Sequence, residues 1–371
     1  MNATRKKLRV LIVDDSAFMR KVLHGIIVAD PEMEVAGQAK DGREAISMAE
    51  SLKPDVITMD INMPHMDGLQ ATEHIMSQNP RPIVVVSSES REGAASTLIA
   101  LELGAIDFVS KPSSGIDLDM KSVADDLNRK LKMAAKVRVI RTAARPKPHT
   151  GDLHHSAAGR IETPTEGSDG NMGSRFPIVV IAASTGGPAT VMRLAAAFPA
   201  DFPAAVVLVQ HMPPSFTSQY AIQLADVTEI EVKEAEANEP LRQSTLYVCP
   251  GSHHLRISSS GRIVLDDGPR ISGYRPCADV TMETAAKWAG AMTVGIVLTG
   301  MGNDASRGAQ AVRAAGGIVI AQDEATSVIF GMPAEAIKTG AVNQVLPLDQ
   351  IFSSADKHVR EIARSSQAML R

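Results

Sequence analysis

Two blocks of this 371-residue chain repeat one local pattern: an apolar run of three to six residues, a turn of small or polar residues, then an amphipathic stretch of helical period. Runs this short, rich in Val and Ile, read as strands buried on both faces of a parallel sheet, with the amphipathic stretches as covering helices. In the first block the runs fall at 8–13, 34–39, 55–59, 83–86 and 107–109, which predicts one doubly wound α/β domain over 1–132. In the second they fall at 178–183, 205–210, 231–235, 246–249, 293–298, 318–321 and 344–346, with helices expected at 188–198, 216–224, 279–289 and 305–315. That is again α/β with a mainly parallel sheet, over 176–371. The segments 254–257 and 262–265, flanking Ser258 to Gly261, are expected to pair as an antiparallel hairpin. No internal repeat relates the blocks, so they are two separate domains of one class. Between them, 133–175 holds Pro146, Pro148, Pro164 and the histidines His149, His154 and His155 without apolar periodicity. It reads as a flexible linker, and its histidines as solvated chain and not a metal site.

Composition narrows the function. The chain is 44% hydrophobic and 22% charged, long enough to bury two full cores. It has no apolar stretch near the roughly 20 residues that cross a bilayer, and a polar start, so a cytoplasmic protein without membrane insertion is expected. Two cysteines, Cys249 and Cys277, make neither a disulfide framework nor a zinc cluster. A net charge of -4 argues against a nucleic-acid partner and leaves proteins or small molecules.

Chemistry gathers where runs end, because open parallel sheets bind ligands at the carboxyl ends of their strands. In the first domain Asp14, Asp15 and Asp60 occupy such positions, Lys111 follows the fifth run and Ser87 ends the fourth. Clustered carboxylates call for a hard cation such as Mg2+, and the ammonium and hydroxyl suit a phosphoryl group on a carboxylate. Singly, Asp14 and Asp15 would read as caps of the helix beginning near Ser16. Together, Asp14-Asp15, Asp60-Ile61-Asn62-Met63-Pro64 with Asp67-Gly68, Ser87-Ser88 and Lys111-Pro112 resemble the receiver domain of two-component response regulators over about 8–132. The resemblance implies a flavodoxin-like fold with Asp60 as phosphoacceptor. It also implies Mg2+ on Asp15, Asp60 and the backbone carbonyl of Asn62, supported by Asp14, with Ser87, Phe108 and Lys111 as the switch.

In the second domain, Ile178 to Pro188 reads as strand, glycine turn and helix start around Ser184-Thr185-Gly186-Gly187. This segment alone leaves a nucleophilic serine, a phosphate-cradling loop and a structural turn all open, since it matches neither the P-loop nor G-x-S-x-G. The neighbouring strand ends favour the nucleophile: His211 follows 205–210 and supplies a base, and Asp304 follows 293–298 and supplies the acceptor that orients it. Taken alone, Asp304 would read as the N-cap of the helix from Ala305. His253 and His254 enter the hairpin and are weaker candidates for the base; Cys277 opens a helix with no base beside it and is expected to have a packing or pocket-edge role.

Ala183-Ser184-Thr185-Gly186-Gly187-Pro188, Gln210-His211-Met212-Pro213-Pro214 and Leu298-Thr299-Gly300-Met301-Gly302-Asn303-Asp304 closely resemble the catalytic domain of the chemotaxis protein-glutamate methylesterases, the CheB family, over about 176–348. Arg275-Pro276 and Phe330-Gly331-Met332-Pro333 match as well. The resemblance implies hydrolysis of γ-glutamyl methyl esters on methyl-accepting chemoreceptors, with deamidation of selected glutamines. Ser184, His211 and Asp304 would be catalytic, Thr185 and the Met301 amide oxyanion donors, and the hydrolytic step would need no cofactor. A sensor histidine kinase would phosphorylate Asp60, releasing a receiver packed over the active-site edge of a monomer. A response regulator whose output domain binds a nucleotide or protein without catalysis is the competing class. Two positions depart from the family pattern: Ala182 replaces a common glycine, where a methyl group is expected to tighten the turn, and Ala305 replaces another, where it is expected to favour the helix.

Overall fold

The computed structural model describes residues 6–88, 90–111, 117–137 and 175–369. Most of the expected linker, with its histidines, and Pro112 lie outside these residues. The first domain alternates β1 (Leu8–Val13), α1 (Ala17–Ala29), β2 (Met33–Ala39), α2 (Gly42–Leu52), β3 (Val56–Met59), α3 (Gly68–Gln78), β4 (Ile83–Ser87), α4 (Arg91–Glu102), β5 (Asp107–Ser110) and α5 (Asp117–Ala134). Its five parallel strands stand in the order β2-β1-β3-β4-β5, the flavodoxin-like order. Helix starts follow their side chains: Ser16, Asp41, Asp67 and Ser90 each accept an amide hydrogen of the first turn. Residues 133 and 134, assigned to the linker by composition, continue α5.

The second domain contains β6 (Ile178–Ala183), α6 (Gly187–Ala195), β7 (Ala205–Gln210), α7 (Pro214–Ala225), β8 (Glu231–Glu234), β9 (Thr245–Val248), β10 (His254–Ile257), β11 (Ile263–Asp266), α8 (Ala278–Ala289), β12 (Thr293–Val297), α9 (Ser306–Ala314), β13 (Ile318–Gln322), α10 (Met332–Lys338), β14 (Gln344–Leu346) and α11 (Leu348–Met369). Seven strands form one sheet, β14-β13-β12-β6-β7-β9-β8, in which every pair is parallel. The antiparallel pair β10-β11 stands apart from it. Every residue of β6 and β7 is buried, as expected of central strands covered on both faces. Helices α10 and α11 are absent from the sequence reading; α11 seats Ile351, Ala355 and Val359 in the core at a spacing of four and closes an aromatic cluster of Phe198, Phe202 and Phe352. Among the described residues no helix is long and apolar enough to cross a membrane.

The two domains meet at the carboxyl edge of the second sheet. Helix α4 lies against α6 and α7, and one apolar cluster runs through both domains. Phe108 of β5 stacks at a tilt on Phe216 of α7, ring centres 4.4 Å apart.

Candidate functional site

Two clusters form, each where strand order reverses. In the first domain the reversal lies between β1 and β3, and the parallel ladder carries on one step past each strand: the Asp60 amide donates to the Val13 carbonyl at 2.9 Å and the Asp14 amide to Ala39 at 3.2 Å. Asp14 and Asp60 are thereby fixed side by side and buried. The Lys111 amide extends the β4-β5 ladder by donating to Ser87 at 2.7 Å, and its ammonium stands 3.0 Å from Asp14 Oδ2 and 2.8 Å from Asp60 Oδ2. Burial pushes the Asp60 carboxyl above the usual range; Lys111 opposes this and Asp14 adds to it. Ligand oxygens of Asp14, Asp15 and Asp60 lie within 4.8 Å of one another. The Lys111 ammonium faces three carboxylates in an oxygen-lined pocket, and among the described residues Asp14 Oδ2 has no partner but that ammonium. Such a donor set fits a divalent hard cation. The helix cap is Ser16, not Asp14 or Asp15; Asp14 Oδ1 instead accepts the Ser16 amide at 2.9 Å.

Ser87 and Phe108 face elsewhere. The Ser87 hydroxyl donates to the carbonyls of Gly93, at 3.2 Å, and Ser88, at 3.3 Å, at the start of α4. The Phe108 ring is in the domain interface already described.

In the second domain the reversal lies between β6 and β12. Ser184 follows β6, and the His211 amide donates to Ala183 at 3.0 Å, which sets the histidine beside it. His211 Nε2 meets Asp304 Oδ2 at 2.8 Å. No direct hydrogen bond joins Ser184 and His211, but apo sites often tighten only when substrate binds. Gln210 Nε2 donates to the Ser184 carbonyl at 2.9 Å and steadies the turn. Helix α6 starts at Gly186 without a side-chain cap, and the amides of Thr185 and Met301 have no carbonyl partner among the described residues. Amides left free in this way can donate to an oxyanion.

Asp304 does not cap α9. Its carboxylate caps α8 instead, Oδ2 accepting the Ala278 amide at 2.7 Å and Oδ1 the Asp279 amide at 2.9 Å, with the Ala305 amide at 2.9 Å and the Cys277 thiol at 3.2 Å. Burial works against its ionisation, but the bond from His211 and the two α8 amides prevail and hold the carboxyl at about 2. Burial and the adjacent Asp304 charge push the Cys277 thiol up to about 12, so it is no thiolate nucleophile. It is buried and packed directly against the acid. His254 is buried with Nε2 on the Pro269 carbonyl at 3.1 Å, and His253 Nδ1 pairs with Ser252 at 2.7 Å; neither is placed with Ser184.

Both departures act differently from expectation. Ala182 lies within β6 and packs in the core, not in the turn. Ala305 adopts φ 73°, left-handed, as the N-cap of α9. There alanine is strained and glycine is not, so it does not favour the helix.

Three residues, Asp107, Lys130 and Tyr274, escaped the sequence reading. The Thr185 hydroxyl donates at 2.6 Å to Asp107 Oδ2 of the other domain, a buried bond at the edge of the Ser184 turn. Lys130 Nζ stands 3.2 Å from Asp107 Oδ1. Tyr274 stacks on the His211 imidazole, centres 4.6 Å apart and planes 15° apart. A single Tyr ahead of Arg275-Pro276, outside any apolar run, is a weak signal, but it is the one the sequence offers.

The CheB methylesterase family model matches residues 179–354, and the response regulator receiver model matches 10–121. The chain belongs to the CheB methylesterase family. It is 45% identical to the protein-glutamate methylesterase/protein-glutamine glutaminase of Pyrococcus horikoshii over 372 residues, covering 96% of this chain and 95% of that protein. It is 42% identical to the Symbiobacterium thermophilum protein of the same name over 363 residues, covering 96% of this chain and 98% of that protein. The Thermotoga maritima protein so named is 42% identical over 351 residues, covering 94% and 97%. In this family member a phosphorylation domain and an ester-hydrolysing domain lie in one chain.

Proposed function

We propose that this CheB-family enzyme removes methyl groups from γ-glutamyl methyl esters of chemoreceptors, and deamidates selected glutamines, through Ser184, His211 and Asp304. The observation that carries this reading is the convergence of Ser184, His211 and the deeply held Asp304 at one strand-order reversal. Because Asp304 engages Nε2, Nδ1 is the nitrogen that takes the Ser184 proton as Oγ attacks the γ-carbonyl. The Thr185 and Met301 amides receive the oxyanion. His211 returns the proton to departing methoxide or ammonia, and water repeats the sequence on the acyl-enzyme to leave glutamate. Ser184→Ala should cut methanol release from methylated receptor on the order of 10⁴-fold or more. Release near the wild-type rate would reject the assignment.

Control starts at Asp60, the phosphoacceptor in this reading. A sensor histidine kinase supplies the phosphoryl group, and Asp15, Asp60 and the Asn62 carbonyl would hold Mg2+, with Asp14 supporting. The cation would offset the charge of the phosphoryl group. Lys111, now shared by Asp14 and Asp60, and Ser87, now bonded at the start of α4, are the groups a phosphoryl at Asp60 would draw in. Both connect to elements that run to the domain interface: Ser87 is bonded to the start of α4, which lies against α6 and α7, and Lys111 follows β5, which carries Asp107 and Phe108. The enzyme works as a cytoplasmic monomer on receptors presented from the membrane.

A further inference from the structure

We propose that Tyr274 is a positioning residue for ester cleavage: its ring holds the His211 imidazole in the orientation that serves Ser184 and lies against the face where positive charge develops. The proposal rests on the Ser184, His211 and Asp304 reading above. Three features of the structure carry it.

The first is geometry at the imidazole. Asp304 fixes His211 in the ring plane through Nε2, and Tyr274 covers its face at 4.6 Å with planes 15° apart. Rotation of the imidazole about its side-chain bond breaks both contacts at once. The second is the rigidity of Tyr274. Ile271 and Tyr274 exchange both backbone hydrogen bonds, at 3.0 and 2.9 Å, across Ser272 and Gly273, each with positive φ. That is the tight turn of a two-residue hairpin, and it leaves the Tyr274 backbone little freedom. The hydroxyl lies over Gly302, where an added Cβ would come within 1.8 Å of it, so the loop leading to Asp304 is shaped around this ring. The third is economy of sequence: residues 274 to 277 present a ring to the face of His211 and a thiol to its acid partner.

Such a contact acts at the step where His211 takes up the serine proton. The π face of tyrosine attracts a cation, and an exposed or half-desolvated pair of this kind strengthens when the imidazole is charged. Tyr274 therefore assists proton transfer and not substrate capture.

The test uses the full chain with two variants, Tyr274→Leu and Tyr274→Phe, and two readouts. Tyr274→Leu should lower kcat for methanol release about tenfold while KM stays within about twofold, and Tyr274→Phe should restore kcat because the ring is retained. Independently of turnover, the His211 ring protons in ¹³C-histidine-labelled protein should resonate upfield under the tyrosine ring. That signal is assigned by its loss in His211→Gln, moves downfield in Tyr274→Leu and stays upfield in Tyr274→Phe. A Tyr274→Phe variant that loses either kcat or the upfield signal overturns the proposal, whether or not Tyr274→Leu folds. So does a folded Tyr274→Leu variant with wild-type kcat. If Ser184 is not the nucleophile, Ser184→Ala keeps its activity while the NMR signature is unchanged, which separates that failure from this one.

Discussion

At the scale of single residues, Asp304 shows how a carboxylate is kept ionised inside a protein. It is almost fully buried, yet the His211 imidazole and the amides of Ala278 and Asp279 keep its carboxyl at about 2, below an unfolded value of 3.8. The folded value lies below the unfolded one, so its ionised form contributes stability above about pH 4 and that contribution disappears as pH falls through about 2. Urea unfolding of wild type and Asp304→Asn between pH 7 and pH 2 should give stability curves that converge across that window; a constant gap would contradict the linkage. Ala305, with φ 73°, sits next to it in a conformation that disfavours a Cβ. Ala305→Gly relieves about 1 kcal/mol of that strain, partly offset by the freer unfolded chain. A melting temperature equal to or a few degrees above wild type is expected, and a marked drop would show that the methyl group packs favourably. These details were only partly legible beforehand. Ser184, His211 and Asp304 follow apolar runs and so can be found from sequence. Asp304's role as cap of α8 cannot, because the amides it binds belong to a helix some 25 residues earlier.

Among elements, the strands were the most legible part. Parallel strands buried on both faces have one composition, and the runs at 8–13, 178–183, 205–210 and 344–346 coincide with β1, β6, β7 and β14. Helix α11 was not legible in the same way: most of its residues are polar, and its apolar stripe of Ile351, Ala355 and Val359 becomes meaningful only against Phe198 and Phe202. The turn from β3 into α3 depends on a close approach. A Cβ at Gly68 would lie 2.0 Å from the Asp60 carbonyl, so Gly68→Ala must displace the segment that carries Asp60, the proposed phosphoacceptor. This variant should take up phosphoryl groups from a small-molecule donor at least about tenfold more slowly, given the sensitivity of reacting groups to misplacement. Its unstimulated methanol release should be equal to or above wild type, since the hydrolytic residues are elsewhere. Normal phosphorylation would mean that the loop absorbs the methyl group without moving Asp60.

In the whole molecule, the informative contact is the bond from Thr185 to Asp107, which no reading of either domain alone could supply. Pairing across domains leaves no periodic trace in sequence. Asp107→Asn weakens a charge-assisted bond worth about 1.5 to 3 kcal/mol, against which one neutral bond remains. Unphosphorylated Asp107→Asn enzyme should therefore release methanol several-fold faster than wild type, and removal of residues 1–140 faster still. Unchanged basal rates in both would show that the interface does not restrain the site. The same bond has a thermodynamic corollary. A free-energy coupling between two binding events is reciprocal. If occupying the receiver frees Thr185, then occupying the ester pocket must favour the occupied receiver by the same factor. A phosphonate bound at Ser184 should tighten the affinity of the receiver for Mg2+ with beryllofluoride, an acyl-phosphate mimic. On that coupling a methylated receptor that engaged Thr185 would be more than a substrate: it would act as an effector of the domain that admits it.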